Sequence, residues 1–357
     1  MVEMMESYKR HPLYREDLET ILGIPGIESL RGKSFLITGA TGLIGVCLID
    51  ALMYYNRQGA GITLYATGRS KEKAYCRLGE YAEDGCFHFI EQDVHEPFPV
   101  EVQPDYIIPL ASHTHPVAYS RYPVETIEVN VKGAMSALKK AQECGATVLY
   151  PSSVEVYGNA RGSEVFTEDY TGVLNLSASR SCYTESKRVC ESLCQSFHAE
   201  RNVVVKIVRL GRVFGPTMLM SDTKASSQFI IRALNRENIV LKSTGQQFFS
   251  FLYVADAVAA MLYVLIHGIN GEVYNIAHDA CNVHLNDFAQ TCSKVAGTSV
   301  VFDIPCEIEK RGYSVAMRAI MATDKLRSLG FTGRYTFEEA IRRTLKILES
   351  RSPCSCR

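Results

Sequence analysis

The sequence has no marked excess of charge, no long apolar run, no paired-cysteine motif and no internal repeat. Its 38 basic residues stand against 39 acidic ones, a net charge of -1 over 357 residues. Binding nucleic acid through its phosphates needs a basic excess, so that partner is set aside. The best apolar run, 257–266, is far shorter than the roughly 20 residues of a spanning helix, so no membrane span is expected. Residues 1–15 are polar and charged, so no secretory signal is expected at this start. The 12 cysteines are scattered and include no CxxC pair. Cys190 and Cys194 have helical spacing and read as two small buried residues, and Cys354 and Cys356 sit in a polar tail. The thiols are therefore expected to be reduced and the protein cytoplasmic. His113 and His115 lack a third ligand in a recognisable pattern, so no metal is expected.

What is present is an ordinary globular composition, 46% hydrophobic and 22% charged, long enough to bury a full core. Residues 1–32 read as a leader with a short helical pattern at 15–22, closed by Gly23 and Pro25. Strand and helix patterns then alternate. Strands are expected at 34–38, 62–67, 87–91, 106–110, 147–150 and 203–209. Helices are expected at 43–55, 124–144 and 183–201. This alternation predicts an α/β fold, a doubly wound parallel sheet of the Rossmann type over 33–210. Beyond 211 the pattern is irregular. Residues 211–350 are expected to form mainly a smaller α/β substrate lobe, with the return of some segments to the first domain left open. Residues 351–357 read as a tail.

The run SFLITGATGLIG places a buried strand directly before Gly39-x-x-Gly42-x-x-Gly45 and a helix directly after it. Gly39 permits the tight turn, Gly42 lets the backbone approach a pyrophosphate, and Gly45 lets helix and strand pack closely. Thr41, Leu43 and Ile44 complete the turn, whose helix N-terminus offers free N–H groups to phosphates. No acidic residue follows at the end of the second strand, where one would hold the adenosine ribose of NAD. Ala66-Thr67-Gly68-Arg69 stands there, and Arg69 suits a 2′-phosphate. Asp93 and Val94, after the third strand, are candidates for the adenine.

Tyr183 and Lys187 lie one helical turn apart on one face. A lysine cation beside a phenol lowers its pKa, and the phenolate can take a proton from an alcohol as hydride leaves the same carbon. Ser153, ending a strand some thirty residues earlier, can bond the reacting oxygen. Glu155 is a carboxyl in the same cleft and a candidate for a tuned pKa.

The order of these motifs, with Asn130 between them, resembles the extended short-chain dehydrogenases over about 33–348. Within them the chain is similar to the NAD-dependent epimerase/dehydratase family, and most of all to its UDP-glucuronate decarboxylases. The likeness rests on Leu110-Ala111-Ser112 with Pro116 and Tyr119, on Ser152-Ser153-Val154-Glu155-Val156-Tyr157-Gly158, and on RLGRVFGPTM at 209–218. It continues through SDTKASSQF at 221–229 and the segment 245–256. The resemblance implies a bound NAD, with NADP left open, and a nucleotide-sugar substrate. It also implies a homodimer through the helices at 124–144 and 183–201. It makes Tyr183, Lys187, Ser153 and Glu155 catalytic. It adds Leu110, Ala111, Ser112, Asn130, Tyr183 and Lys187 to the cofactor contacts. It puts His113, Ser152, Arg212, Lys224, Gln228 and Phe249 on the substrate. The implied reaction passes through a 4-keto sugar, with decarboxylation of a nucleotide-linked uronate first, and 4-epimerase and 4,6-dehydratase as alternatives. A cofactor-sensing regulator on the same fold would not need Tyr183 and Lys187. Three positions depart from the pattern. Val154 replaces the dehydratases' aspartate and the decarboxylases' serine, Phe249 replaces an arginine, and Arg212 replaces an asparagine. Arg212 is expected to supply the cation missing at 249.

Overall fold

The computed structural model describes residues 7–114, 116–160, 162, 164–303 and 316–350, so His115, Cys354 and Cys356 lie outside the described residues. Six strands follow one another through the first two thirds of the chain: β1 (Ser34–Thr38), β2 (Thr63–Gly68), β3 (Phe87–Glu91), β4 (Tyr106–Pro109), β5 (Thr147–Ser153) and β6 (Val205–Leu210). The chain then passes through β7 (Arg212–Phe214), β8 (Ile239–Leu241) and β9 (Phe248–Tyr253) and returns as β10 (Val273–Ile276). The large sheet has the order β3-β2-β1-β4-β5-β6-β10, and every pairing in it is parallel. Strand order reverses between β1 and β4, and ligands of such sheets bind in the crevice at the carboxyl ends there.

The first helices are α1 (Pro12–Leu22), α2 (Leu43–Asn56), α3 (Lys71–Leu78), α4 (Pro116–Arg121), α5 (Pro123–Cys144) and α6 (Ser181–Arg201). They are followed by α7 (Ala225–Leu234), α8 (Val254–His267), α9 (Leu285–Ala296), α10 (Asp324–Leu329) and α11 (Phe337–Glu349). Both faces of the sheet are covered, which is why β1 reads as a continuous apolar run with Phe35, Leu36 and Ile37 fully buried. One core joins Phe35 and Ile37 to α1, α2 and α8. The other joins Leu36 to Ala134 and Leu138 of α5 and to Cys190 and Cys194 of α6. Beyond β10, β11 (Asn282–His284) and β13 (Arg318–Ala319) flank β9, and β12 (Val300–Phe302) pairs with β8. This second set of short strands forms the other wall of the crevice.

The segment ahead of β1 is built into the molecule. Tyr14 and Ile21 of α1 are fully buried. Lys9 reaches Asp50 of α2 at 2.8 Å, and Asp50 also accepts hydrogen bonds from the Tyr14 and Tyr81 hydroxyls at 2.6 and 2.9 Å. A buried carboxylate with three partners is satisfied, and here it ties the start of the chain to the back of the dinucleotide-type sheet. Beyond 211, β10 extends the large sheet and α8 packs on it.

Candidate active site

A cleft of about 2820 Å³ opens at the carboxyl ends of β1 to β6. Ordinary small-molecule pockets measure about 300–1,000 Å³, so this cleft has room for more than one ligand. At one end lies the glycine turn. Gly39 has a φ of +63°, and a side-chain carbon there would stand 2.7 Å from the Ala111 nitrogen. At Gly45 it would stand 2.6 Å from the Gly39 carbonyl oxygen. Both glycines are therefore needed for the turn and for the close seating of α2. Gly42 caps α2 without a side-chain hydrogen bond, leaving the N-terminus bare toward the cleft. This cradle fits a pyrophosphate. Thr41, Leu43, Ile44, Arg69, Asp93, Val94, Leu110, Ala111 and Ser112 line the same cleft. Asp93 also closes its own turn by accepting from the His95 N–H at 3.0 Å. The Ser112 hydroxyl donates to the His113 carbonyl at 3.0 Å, and His113 Nδ1 stands 3.3 Å from Thr126 Oγ1.

Tyr183 is presented by the first turn of α6 and is 8% exposed. Its ring stacks on Tyr119 at 4.9 Å. Burial pushes the phenol up to about 12, against the pull of a Ser153 hydrogen bond. Glu155 pushes it further up and Arg212 pulls it down. Ser153 sits at the end of β5, where β5 is held by β6 in register, Ser153 opposite Leu210. The serine and tyrosine expected to act together are thus brought together.

The Arg212 guanidinium Nη2 lies 2.9 Å from Glu155 Oε1, and its centre lies 4.0 Å from the middle of the Phe249 ring. The two departures noted in the sequence are therefore in contact. β7 carries the arginine, β9 carries the phenylalanine, and the two strands pair in parallel with Arg212 opposite Phe251. Arg212 Nε is buried and has no hydrogen-bond partner among the described residues. Across the cleft, Lys224 pairs with Asp222 at 3.1 Å, and the Gln228 amide donates to the Asp222 carbonyl at 2.6 Å.

Three expected site residues are placed differently. Lys187 is buried away from the cleft lining, donating to the Pro151 carbonyl at 2.8 Å and standing 4.9 Å from the Tyr150 ring centre. A buried ammonium needs an acceptor, and burial lowers its pKa. Ser153 and Arg212 lower the phenol's pKa. Asn130 is also buried off the lining, with its amide donating to Ser186 at 2.8 Å. Ser152 touches the cleft, but its hydroxyl donates to Glu191 at 2.5 Å. Glu191 in turn pairs with Arg209 at 2.7 Å. That buried network, which sequence reasoning missed, underpins the β5–β6 floor. Its members are 18 and 39 residues apart, and nothing in their local patterns announces the pairing.

Among the described residues no helix is long and apolar enough to cross a membrane, and no group of three or more His, Cys, Asp or Glu could hold a metal ion.

A doubly wound sheet, a glycine cradle at its switch point and a serine–tyrosine pair facing it define a short-chain dehydrogenase type of protein. Residues 35–277 match the NAD dependent epimerase/dehydratase family, and the chain belongs to that family. UDP-glucuronic acid decarboxylase 5 of Arabidopsis thaliana is 36% identical over 284 residues, 77% of this chain and 80% of that protein. UDP-glucuronic acid decarboxylase 1 of Xenopus tropicalis is 33% identical over 241 residues, 68% of this chain but only 55% of its own length. The chain thus matches about half the length of several of these relatives. Among solved structures, an epimerase from Methanothermobacter thermautotrophicus superposes with a TM-score of 0.75 at 20% identity, covering 94% of this chain and 96% of that one. dTDP-glucose 4,6-dehydratase from Bacillus anthracis, in complex with NAD, superposes at 0.74 with 17% identity, covering 88% and 96%. At these identities the superpositions show the Rossmann-like fold.

Proposed function

We propose that this chain decarboxylates a nucleotide-linked uronate through a 4-keto sugar, UDP-glucuronate being the substrate to try first. The observation that carries the reading is the grouping of Tyr183 and Ser153 with the Glu155–Arg212 pair on one wall of the cleft, facing the glycine cradle. The names of the relatives at 33–36% identity support the same choice.

When bound, NAD would supply the acceptor and donor of hydride for carbon 4. Gly39, Gly42 and Gly45 would hold its pyrophosphate. Tyr183 takes the proton of the sugar 4-hydroxyl and later returns it. Ser153 orients that oxygen. A 4-keto uronate is a β-keto acid, so the bond from carbon 5 to its carboxylate breaks with the electron pair passing into the enolate. Carbon dioxide leaves, and Glu155 relays a proton from water to carbon 5 of the enolate, leaving hydroxide to be neutralised by solvent. Arg212 balances the charge of the carboxylates on this wall. Lys187 holds the β5 end and the α6 turn in place through Pro151.

The chain is also proposed to pair with a second copy through α5 and α6, whose outer faces carry exposed Val124, Ile127 and Val189. A cytoplasmic location agrees with the described cysteines, which are all unpaired. Mixing the protein with UDP-glucuronate and weighing the sugar nucleotide tests the reading. Loss of carbon dioxide supports it. An unchanged mass with a new retention time assigns 4-epimerisation instead.

A further inference from the structure

The short helix α4 carries a side chain that the proposed reaction does not use. Tyr119 lines the cleft and is 8% exposed, although Val117 and Ser120 on the same helix are exposed. The corner that holds it is tied to α5. The Tyr122 carbonyl accepts the Thr126 N–H at 3.0 Å and the Thr126 hydroxyl at 2.8 Å, and Thr126 is fully buried. The Tyr122 N–H donates in turn to the Ala118 carbonyl at 2.7 Å. Tyr119 therefore stands on a fixed backbone. Its ring stacks on the Tyr183 ring with 26° between the planes. With Cys182 the two tyrosines form a small apolar cluster of their own, separate from both cores that flank the sheet. The backbone of α6 alone does not place the Tyr183 hydroxyl. Each staggered well of the first side-chain torsion sends it elsewhere, and packing selects one. The pair is also asymmetric. Tyr183 has the Ser153 hydrogen bond, whereas the Tyr119 hydroxyl makes none among the described residues. Burial raises the Tyr119 phenol well above its ordinary value, and Tyr183 and Glu155 raise it further against the pull of Arg180 and Arg212. Tyr119 therefore stays a neutral ring while Tyr183 ionises.

We propose that Tyr119 is a positioning residue for the base: its neutral ring, stacked on that of Tyr183, holds the phenol in line with Ser153 and the sugar 4-hydroxyl. The inference rests on the reading of Tyr183 as the base. Offset-stacked aromatic rings prefer centroid distances of about 4.5–7 Å, and the 4.9 Å of this pair lies within them. A misplacement of about 1 Å between reacting groups costs about 10²-fold in rate. The stack therefore acts on turnover and not on binding, and it acts through the ring and not the hydroxyl.

The test compares the full chain with Tyr119→Phe, which keeps the ring, and with Tyr119→Leu and Tyr119→Met, which remove it. Each is checked for folding by circular dichroism, turned over with UDP-glucuronate, and crystallised. Tyr119→Phe should keep kcat within about twofold, because the stack survives. A folded ringless variant should lose about tenfold or more in kcat, with KM changed by less than about threefold. Its Tyr183 ring should stand about 1 Å or more from the wild-type position. Wild-type kcat in a ringless variant overturns the proposal, and so does an undisplaced Tyr183 ring. Tyr119→Phe as slow as the ringless variants overturns it too, because the hydroxyl then carries the effect. Loss of the fold in both ringless variants overturns it as well, because the role is then structural. If the wild type leaves UDP-glucuronate untouched, the proposed function fails, and the position of the Tyr183 ring in the crystal structures still decides the stack.

Discussion

Replacing Arg343 by methionine should destabilise the whole chain, because this one guanidinium closes the molecule from end to end. Arg343, on α11, lies 2.8 Å from Asp17 of α1, donates to the Leu13 carbonyl at 2.6 Å and reaches Glu16 at 3.1 Å. Asp17 is 1% exposed and also accepts the Tyr253 hydroxyl at 2.5 Å. Tyr253 lies on β9, the strand that carries Phe249 into the site. Methionine fills much of the arginine's volume but leaves Asp17 buried without its cation, a loss of about 3–5 kcal/mol. At about 2.1 cal/mol/K per residue, the 357 residues give an unfolding entropy of about 0.75 kcal/mol/K, so Tm should fall by about 4–7 °C. Burial already pushes the Asp17 carboxyl up from 3.8 to about 6, and removing Arg343 pushes it higher. A carboxyl raised in the folded state favours folding when protonated, and that stability is lost as pH rises through the folded value. The deficit of the variant should therefore widen from about pH 6 to pH 8. Scanning calorimetry across that range reads both effects, and adding Asp17→Asn to Arg343→Met should recover part of the loss. A Tm change below about 1 °C, or no recovery in the double variant, refutes the reasoning.

Three further outcomes follow from the cleft. Tyr183→Phe should lower turnover by about 10²–10⁴-fold with the fold intact, as loss of a general base does; steady-state kinetics beside circular dichroism would show it, and near wild-type turnover contradicts the assignment. Glu155 pushes the Tyr183 phenol up and Arg212 pulls it down. The rising limb of kcat with pH should therefore move to lower pH in Glu155→Gln and to higher pH in Arg212→Met, and shifts in the same direction would break the argument. Gly39→Ala places a methyl 2.7 Å from the Ala111 backbone and should weaken dinucleotide binding by more than tenfold in a fluorescence titration; unaltered binding would remove the cradle from the account.

The parallel sheet was legible because its strands are short apolar runs punctuated by glycine turns, and β1 runs straight into such a turn. Boundaries drifted where tertiary pairing extends an element. β5 continues to Ser153 because Ser152 and Ser153 pair with Arg209 and Leu210. The helix α8 gave no amphipathic period, since nearly all of it is buried, and the apolar run at 257–266 is its body. The leader reads as separate because Lys9, Tyr14 and Asp17 find their partners 36 or more residues away. In the site, the tyrosine, serine and glycine positions were local motifs. The Glu155–Arg212 pair joins residues 57 apart, so the sequence offered Arg212 as a cation in place of one at 249, and only the structure supplies its Glu155 partner. Lys187 was correctly placed on the tyrosine's helix, but its buried ammonium is claimed by the Pro151 carbonyl, a preference that spacing does not encode.

The central claim is chemistry at carbon 5 after oxidation at carbon 4. The direct measurement is turnover of UDP-glucuronate in deuterium oxide, with the sugar nucleotide weighed and its deuterium located by nuclear magnetic resonance. The account predicts a product that has lost carbon dioxide and carries one solvent deuterium on carbon 5. A product that keeps its carboxylate, or one that has lost carbon dioxide without deuterium at carbon 5, contradicts it.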